Sequence, residues 1–386
     1  MAKYKLGEIC EIVSGSTPKT AVSEYWDGNL KWITPAELND NSYIVMDSVR
    51  KLTELGVKNS GLSSFPEGTV MLSSRAPIGK VAIAGCEMYC NQGFKNLICS
   101  ERINNRYLYW FLKGNTEFLN SLGRGATFKE ISKKIVASIE INVPPMEQQL
   151  VAVNNLERIA AIIQLRKQQL QKLDELVKAR FVEMFGNFVY ERDRWSTCKI
   201  GDISDTIDPQ PSHRTPPVSL DGIPYIGIAE CNYKTLQIDF ANARKVGQDV
   251  LQEHLNRYTL DKGDFIIGKI GTIGKPFFLP VKQTYTLSAN TVLIKPNKLR
   301  VEPQFLFAVF QSEYMELIID AEKKSTSQPA FGIQKVRKID IPMPPLELQQ
   351  QFAAFVEQAS KSKVTVQKAL DEAQLLFDSL MQKYFE

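Results

Sequence analysis

Apolar positions between Pro145 and Gly186 follow a seven-residue rhythm. Leu156, Ile163, Leu170, Val177 and Met184 form one row, and Val153 and Ala160 begin a second. The stretch contains no internal Pro or Gly and is rich in Leu, Gln, Glu, Lys and Ala, residues that favour helix. Arg166, Lys167 and Arg180 interrupt the stripe, so the seam is not wholly apolar. The same rhythm returns 200 residues later. Val356, Lys363, Leu370, Phe377 and Tyr384 take the same register, with Phe352, Ala359, Val366, Ala373 and Leu380 beside them. Two matching heptad patterns predict two long helices that pack along a coiled-coil seam. Each runs about 40 residues, roughly 60 Å at the helical rise. The expected interface is Leu156, Ile163, Leu170, Val177 and Met184 against Val356, Leu370, Phe377 and Tyr384.

The text ahead of each helix repeats as well. Ile139-Glu-Ile-Asn-Val-Pro-Pro-Met-Glu147 matches Ile339-Asp-Ile-Pro-Met-Pro-Pro-Leu-Glu347, 200 apart. Gly68-Thr-Val-Met-Leu-Ser-Ser-Arg-Ala-Pro-Ile-Gly-Lys80 matches Gly263-Asp-Phe-Ile-Ile-Gly-Lys-Ile-Gly-Thr-Ile-Gly-Lys275, 195 apart. Trp32-Ile-Thr-Pro-Ala-Glu37 matches Tyr225-Ile-Gly-Ile-Ala-Glu230, 193 apart. The chain is therefore two copies of one plan, a globular domain followed by a long helix, with short insertions between copies. The organisation expected is 1–144 domain, 145–187 helix, 188–344 domain, 345–386 helix, with the polar stretch 187–196 as a linker.

Inside each copy the apolar pattern shortens to strand length. Val70 to Leu72, Val81 to Ile83 and Phe94 to Cys99 read as strands, and Lys31 to Thr34 as another. Asn105 to Leu122 reads as a helix with an aromatic face of Tyr107, Leu108, Trp110, Phe111 and Phe118, and Pro303 to Ile319 is its counterpart. Pro144-Pro145 stops the last strand before the long helix. The fold class is α+β.

Composition changes little in this picture. Of 386 residues, 44% are hydrophobic and 23% charged, and the net charge is +4. This permits an anionic partner without demanding one. The start shows no signal-peptide pattern and no apolar run reaches membrane-spanning length, so a cytoplasmic location is expected. Six Cys without a Cys-x-x-Cys pair, and two His, point to reduced core thiols rather than a metal site.

Catalytic motifs are missing. Gly268 to Lys275 imitates a phosphate loop, but Pro276 stands where Ser or Thr must reach magnesium. A turn between strands with a Lys at its rim is the better reading. Neither a glycine-rich methyl-donor loop nor an Asn-Pro-Pro-aromatic or Asp-Pro-Pro-Tyr base site is present, and no Ser/His/Asp set occurs in both copies. What recurs is loops bearing Arg, Lys, Ser, Thr and Asn, side chains that read base edges and grip phosphates. The candidates are Ser16, Thr17, Lys19, Arg75, Lys80, Lys95, Arg124 and Lys129 in the first copy, and His213, Arg214, Lys269, Lys275, Lys323 and Lys324 in the second. Any one of them alone reads as well as a solvated surface residue; the pattern in both copies carries the argument. No metal or catalytic residue is assigned.

Four features resemble the specificity subunits of type I restriction–modification systems. They are Ser14-Gly-Ser-Thr-Pro18 with Trp32-Ile-Thr-Pro-Ala-Glu-Leu38, Ser73-Ser-Arg-Ala-Pro-Ile-Gly-Lys80 with Cys90-Asn-Gln-Gly-Phe94, Val143-Pro-Pro-Met-Glu-Gln-Gln149, and the repeat itself. The resemblance covers the whole chain, and the Pro-Pro-x-Glu-(x)-Gln-Gln entry to the helix is its most specific part. The second domain lacks the Ser-Gly-x-Thr-Pro and Asn-Gln-Gly-Phe strings.

The resemblance implies two target-recognition domains separated by an antiparallel helix pair, each reading one half of a split sequence in double-stranded DNA. Antiparallel order would put Leu156 near Tyr384, and Lys363 near Val177. The family's partners are two modification subunits, which methylate adenine with S-adenosylmethionine, and restriction subunits that use ATP and magnesium. This chain would then be a non-catalytic reader and scaffold with no cofactor of its own. Three other readings stay open: a specificity module for a methyltransferase without a restriction partner, a nuclease with an unrecognised site, and a scaffold that binds only proteins.

Overall fold

The structure is a computed structural model that describes residues 2–125, 129–212, 214–233, 235–281, 284–324 and 331–385. His213, one of the candidate residues, lies outside them. The two long helices are Met146–Phe185 and Leu346–Phe385, 40 residues each. The chain divides into two compact units, Met1–Lys167 with Gln367–Glu386, and Gln168–Val366. Each unit thus holds one globular domain and part of both helices.

In the first unit a five-stranded sheet runs in the order Cys10–Ser14, Phe94–Cys99, Val70–Ser73, Val81–Ala84, Ile44–Val45. Its neighbours are antiparallel except the last pair. Both faces of the central strands are buried, which is why those strands read as continuous apolar runs rather than alternating ones. The expected aromatic helix is two helices, Asn105–Gly114 and Thr116–Ser121. The break falls at Asn115, whose Nδ2 donates to the Phe111 carbonyl at 2.8 Å; such side-chain bonding competes with the helical ladder. Tyr107, Leu108, Trp110 and Phe111 are buried, whereas Phe118 is exposed.

The second unit repeats the frame with four antiparallel strands, in the order Ser204–Ile207, Thr291–Pro296, Phe265–Gly268, Pro276–Phe278. Its aromatic helix is also split, into Pro303–Phe310 and Glu313–Lys324. The stretch expected to be a polar linker contributes a core residue. Phe188 is buried and packs edge-on against Phe181, ring centroids 5.3 Å apart.

The Pro-Pro-x-Glu-(x)-Gln-Gln entry has its structural cause in one of its glutamines. Gln149 is fully buried; its Nε2 donates to the Pro144 carbonyl at 2.8 Å and the Arg102 carbonyl at 3.0 Å, and its Oε1 accepts from Asn104 N at 2.8 Å. Gln349, also buried, donates to the Pro344 carbonyl at 2.8 Å and accepts from Glu302 N at 2.9 Å. One buried amide thus fastens the first turn of each long helix to the loop before the aromatic helix. Leaving such groups unpaired is costly, so the residue is fixed by the packing.

The helix pair forms an antiparallel coiled coil. In the first unit Leu156 shares a core with Phe377 and Tyr384, and Asn155 Nδ2 donates to the Tyr384 hydroxyl at 2.8 Å. In the second unit Val177, Met184 and Val356 pack around Phe181, Phe185 and Phe352. Lys363 pairs with Asp174, one turn before Val177, where antiparallel order predicts it. Leu170 and Leu370 are half-buried. The deepest row of the second helix is Phe352, Ala359, Val366 and Ala373, beside the row predicted to dominate. The larger Val356, Phe377 and Tyr384 are only partly buried beside it. Among the described residues no helix is long and apolar enough to cross a membrane.

Candidate nucleic-acid interface

One end of the first sheet gathers the polar loops. Ser14, Ser73 and Phe94 lie at that end in register, Ser14 opposite Lys95 and Ser73 opposite Phe94. The loop after Ser14 is tied down by Ser16 N donating to the Cys90 carbonyl at 3.0 Å and by Trp32 Nε1 donating to the Ser16 carbonyl at 3.1 Å. The Thr17 hydroxyl meets Gln92. Ser74 N donates to the Gly93 carbonyl at 2.7 Å, and Ile131 N donates to the Ser74 carbonyl at 2.9 Å. Four loops from distant parts of the first copy therefore converge on one surface. Gln92 lies in the Cys90-to-Phe94 string but is not among the candidate site residues, and Glu130 belongs to no periodic or basic pattern.

The candidate residues separate by environment. Arg75 is exposed at the tip, with Nε donating to Glu130 Oε2 at 2.9 Å. Lys95 is buried and reaches Glu130 Oε1 and Ser74 Oγ, each at 3.3 Å. Burial acts to raise the Glu130 pKa, but the hydrogen bonds from Arg75 and Lys95 outweigh it and hold the carboxyl below its ordinary range. Lys80 was expected to face a ligand. Its ammonium is instead engaged by the Pro35 carbonyl at 3.1 Å and the Leu38 carbonyl at 2.5 Å, so it braces the adjacent turn. Ser16, Thr17, Lys19, Arg124 and Lys129 are exposed. Arg124 is held by paired backbone bonds with Glu130, 3.1 and 3.0 Å.

The second unit builds the same end from different side chains. Lys269 N donates to the Asn290 carbonyl at 2.8 Å and Phe331 N donates to the Lys269 carbonyl at 2.9 Å, the bonds that Ser74 makes in the first copy. Lys269 Nζ pairs with Asp208 at 3.0 Å, both largely buried. Asp208 directly follows the strand Ser204–Ile207. Gly268 to Lys275 is the expected turn between strands, with Gly271 and Gly274 at φ of 77° and 72°, values that favour glycine. Lys275 is exposed, its Nζ 3.9 Å above the Tyr233 ring. Lys323 pairs with Asp320 at 2.9 Å, and Lys324 and Arg214 are exposed.

The loop carrying Asp208 is also gripped from below. His254 is fully buried, with Nε2 2.5 Å from Gln210 Oε1, and Nδ1 beside the Thr286 hydroxyl and 3.3 Å from that of Tyr258. Gln210 Oε1 can only accept, so the proton sits on Nε2 and Nδ1 accepts. Burial keeps the His254 pKa low. This histidine carried no signal in the sequence, whereas His213 did. Among the described residues no group of His, Cys, Asp or Glu forms a metal site, and all six Cys are free thiols.

The frame, two diverged copies with polar loops at one sheet end, is that of a two-domain DNA-specificity protein. The chain belongs to the family described as "Type I restriction modification DNA specificity domain", which matches residues 1–175 and 193–373. It is similar to the type I restriction enzyme MjaIX specificity subunit of Methanocaldococcus jannaschii, 29% identical over 98% of this chain and 91% of that one. It is also similar to the EcoBI specificity subunit of Escherichia coli, 19% identical over 73% of this chain and 64% of that one. The fold matches the type I restriction–modification S subunit from M. genitalium with a TM-score of 0.61, at 14% identity over 100% of this chain and 96% of that one.

Proposed function

We propose that this chain is the non-catalytic sequence reader of a type I restriction–modification complex. In this reading each loop end grips one half of a bipartite target in double-stranded DNA. The coiled coil carries two modification subunits, and restriction subunits join that assembly. S-adenosylmethionine, and ATP with magnesium, belong to those partners. The observation that carries the reading is the loop cluster built twice on one frame with different side chains, which suits an asymmetric target. With a net charge of only +4, the chain alone makes a weak phosphate grip, and partners supply the rest.

The proposed contacts are the exposed members Ser16, Thr17, Lys19, Arg75, Arg124 and Lys129, and Arg214, Lys275, Lys323 and Lys324, with Lys95 and Lys269 acting from beneath. The test is DNA retention and adenine methylation by the chain with and without a modification subunit, followed by mapping of the methylated sites. A bipartite motif methylated only by the complex is expected. Turnover by the pure chain, abolished by a point mutation in it, would support an enzyme instead.

A further inference from the structure

We infer that Arg75 reads a guanine in the half-site of the first domain, and that Glu130 is the positioning residue that aims it; the inference rests on the DNA-reading role proposed above. The guanidinium carries five N–H donors in a rigid plane. Its Nε is taken by Glu130 Oε2 at 2.9 Å, and the two Nη groups, which point away from Nε, have no partner among the described residues. Two parallel donors at the tip of an arginine match the O6 and N7 acceptors on the major-groove edge of guanine.

Glu130 is itself immobilised. Its backbone exchanges two bonds with Arg124, the neighbouring Ile131 N is held by the Ser74 carbonyl, and its second oxygen receives Lys95 Nζ at 3.3 Å. Lys95 is buried, so it keeps the carboxylate in place from the protein side. One anion between two cations leaves the cluster with a net positive charge. The plane of Arg75 is thus fixed before any ligand arrives. Fixing it lowers the ordering penalty of binding, which matters for a directional base contact and little for a phosphate grip.

The second copy supplies an independent argument. The position after Ser74 is Arg75, and the position after its structural equivalent Lys269 is Ile270, 54% exposed. An isoleucine cannot grip a phosphate. It can meet the methyl group of thymine. A frame position that carries Arg in one copy and a solvent-facing Ile in the other faces base edges.

The test uses the full chain in complex with its modification subunits, on duplexes carrying the mapped target. Each guanine of the first half-site is replaced in turn by 7-deazaguanine, which lacks the N7 acceptor. One replacement should weaken binding by the wild-type complex about 5- to 150-fold, the range for one bidentate contact. Arg75→Met keeps the length but removes every donor, and should be insensitive to that replacement. Glu130→Ala should lose most of the same discrimination while non-specific DNA affinity holds.

Unchanged reading of the second half-site by each variant shows that the chain is folded. Insensitivity of the wild-type complex to every replacement overturns the inference without recourse to a variant. So does equal sensitivity in Arg75→Met. A uniform loss of affinity for all sequences in Arg75→Met assigns the residue to a phosphate and also overturns it. If the wild-type complex binds no DNA sequence selectively, it is the proposed function that fails.

Discussion

The loop ends of the two domains share a backbone and differ in their charges. In the first, a buried Lys95 and an exposed Arg75 converge on Glu130, which arrives from a loop 55 positions away. In the second, Val292 occupies the position of Lys95, as the strand registers Leu72 with Lys95 and Ile267 with Val292 place it. The cation comes instead from Lys269, and the anion from Asp208. Both ends neutralise a buried ammonium, as burial requires, but among the described residues only the first also holds an exposed arginine on the same carboxylate. The lesson is that the hydrogen bonds made by Ser74 and Lys269 belong to the frame, while the side chains above them are exchangeable. That separation lets one scaffold carry two different reading surfaces.

The comparison can be broken at the ion pairs first. Asp208→Asn removes the carboxylate that meets Lys269 at 3.0 Å and should destabilise the second unit by about 3 kcal/mol. Glu130→Gln should have a smaller effect on the first, because Glu130 is itself partly exposed. Urea unfolding of the intact chain, followed by Trp fluorescence and proteolysis at each domain, reports both. Equal losses would mean that the two ends are energetically alike.

A second expectation concerns what the copies have in common. Gln149→Leu and Gln349→Leu should each lower the stability of their own unit by about 1–3 kcal/mol, with Gln149 the larger effect because it makes one further bond. Hydrogen exchange at the start of each long helix would locate the loss. A loss confined to one variant would show that only one helix is fastened in this way.

A third difference is pH. The first domain contains no His, whereas burial holds the pKa of His254 below its ordinary value in the second. A base whose pKa is lowered by folding stabilises the fold only while it is neutral in both states. That stability is complete above about pH 6.5, the unfolded value. It is lost as pH falls toward the folded value, because the unfolded chain takes up the proton first. The second unit should weaken by at most about 1.4 kcal/mol per pH unit below that point, and the first should not change by this route. Thermal unfolding between pH 7.5 and 5.5 measures it, and His254→Asn should flatten the dependence.

The smallest expected effect on stability is at Ile270. Being exposed, Ile270→Ala should change stability by no more than about 0.5 kcal/mol, yet relax the preference at one A·T pair of the second half-site. Methylated-site mapping reads this directly, and an unchanged motif would remove Ile270 from the reading surface.

The sequence by itself determined the repeat, the heptads and the strands, because each is written in residues close along the chain. It also placed the turn at Gly268 to Lys275, whose glycines answer a local backbone need. The antiparallel order implied by the resemblance put Lys363 near Val177, and its partner Asp174 lies one turn from there. What only the tertiary structure decided is which basic residues face outward. Lys80 and Lys95 resemble Arg75 and Lys129 in sequence, yet Lys95 is buried and Lys80 is bound to backbone carbonyls. Glu130, Gln210 and His254 acquire their roles from partners 35 to 55 positions away. Strand register and loop closure bring those partners together, and no local pattern encodes them. The long helices carried their message in periodicity, whereas the reading surface is an arrangement of single side chains, fixed only once the sheet has closed beneath it.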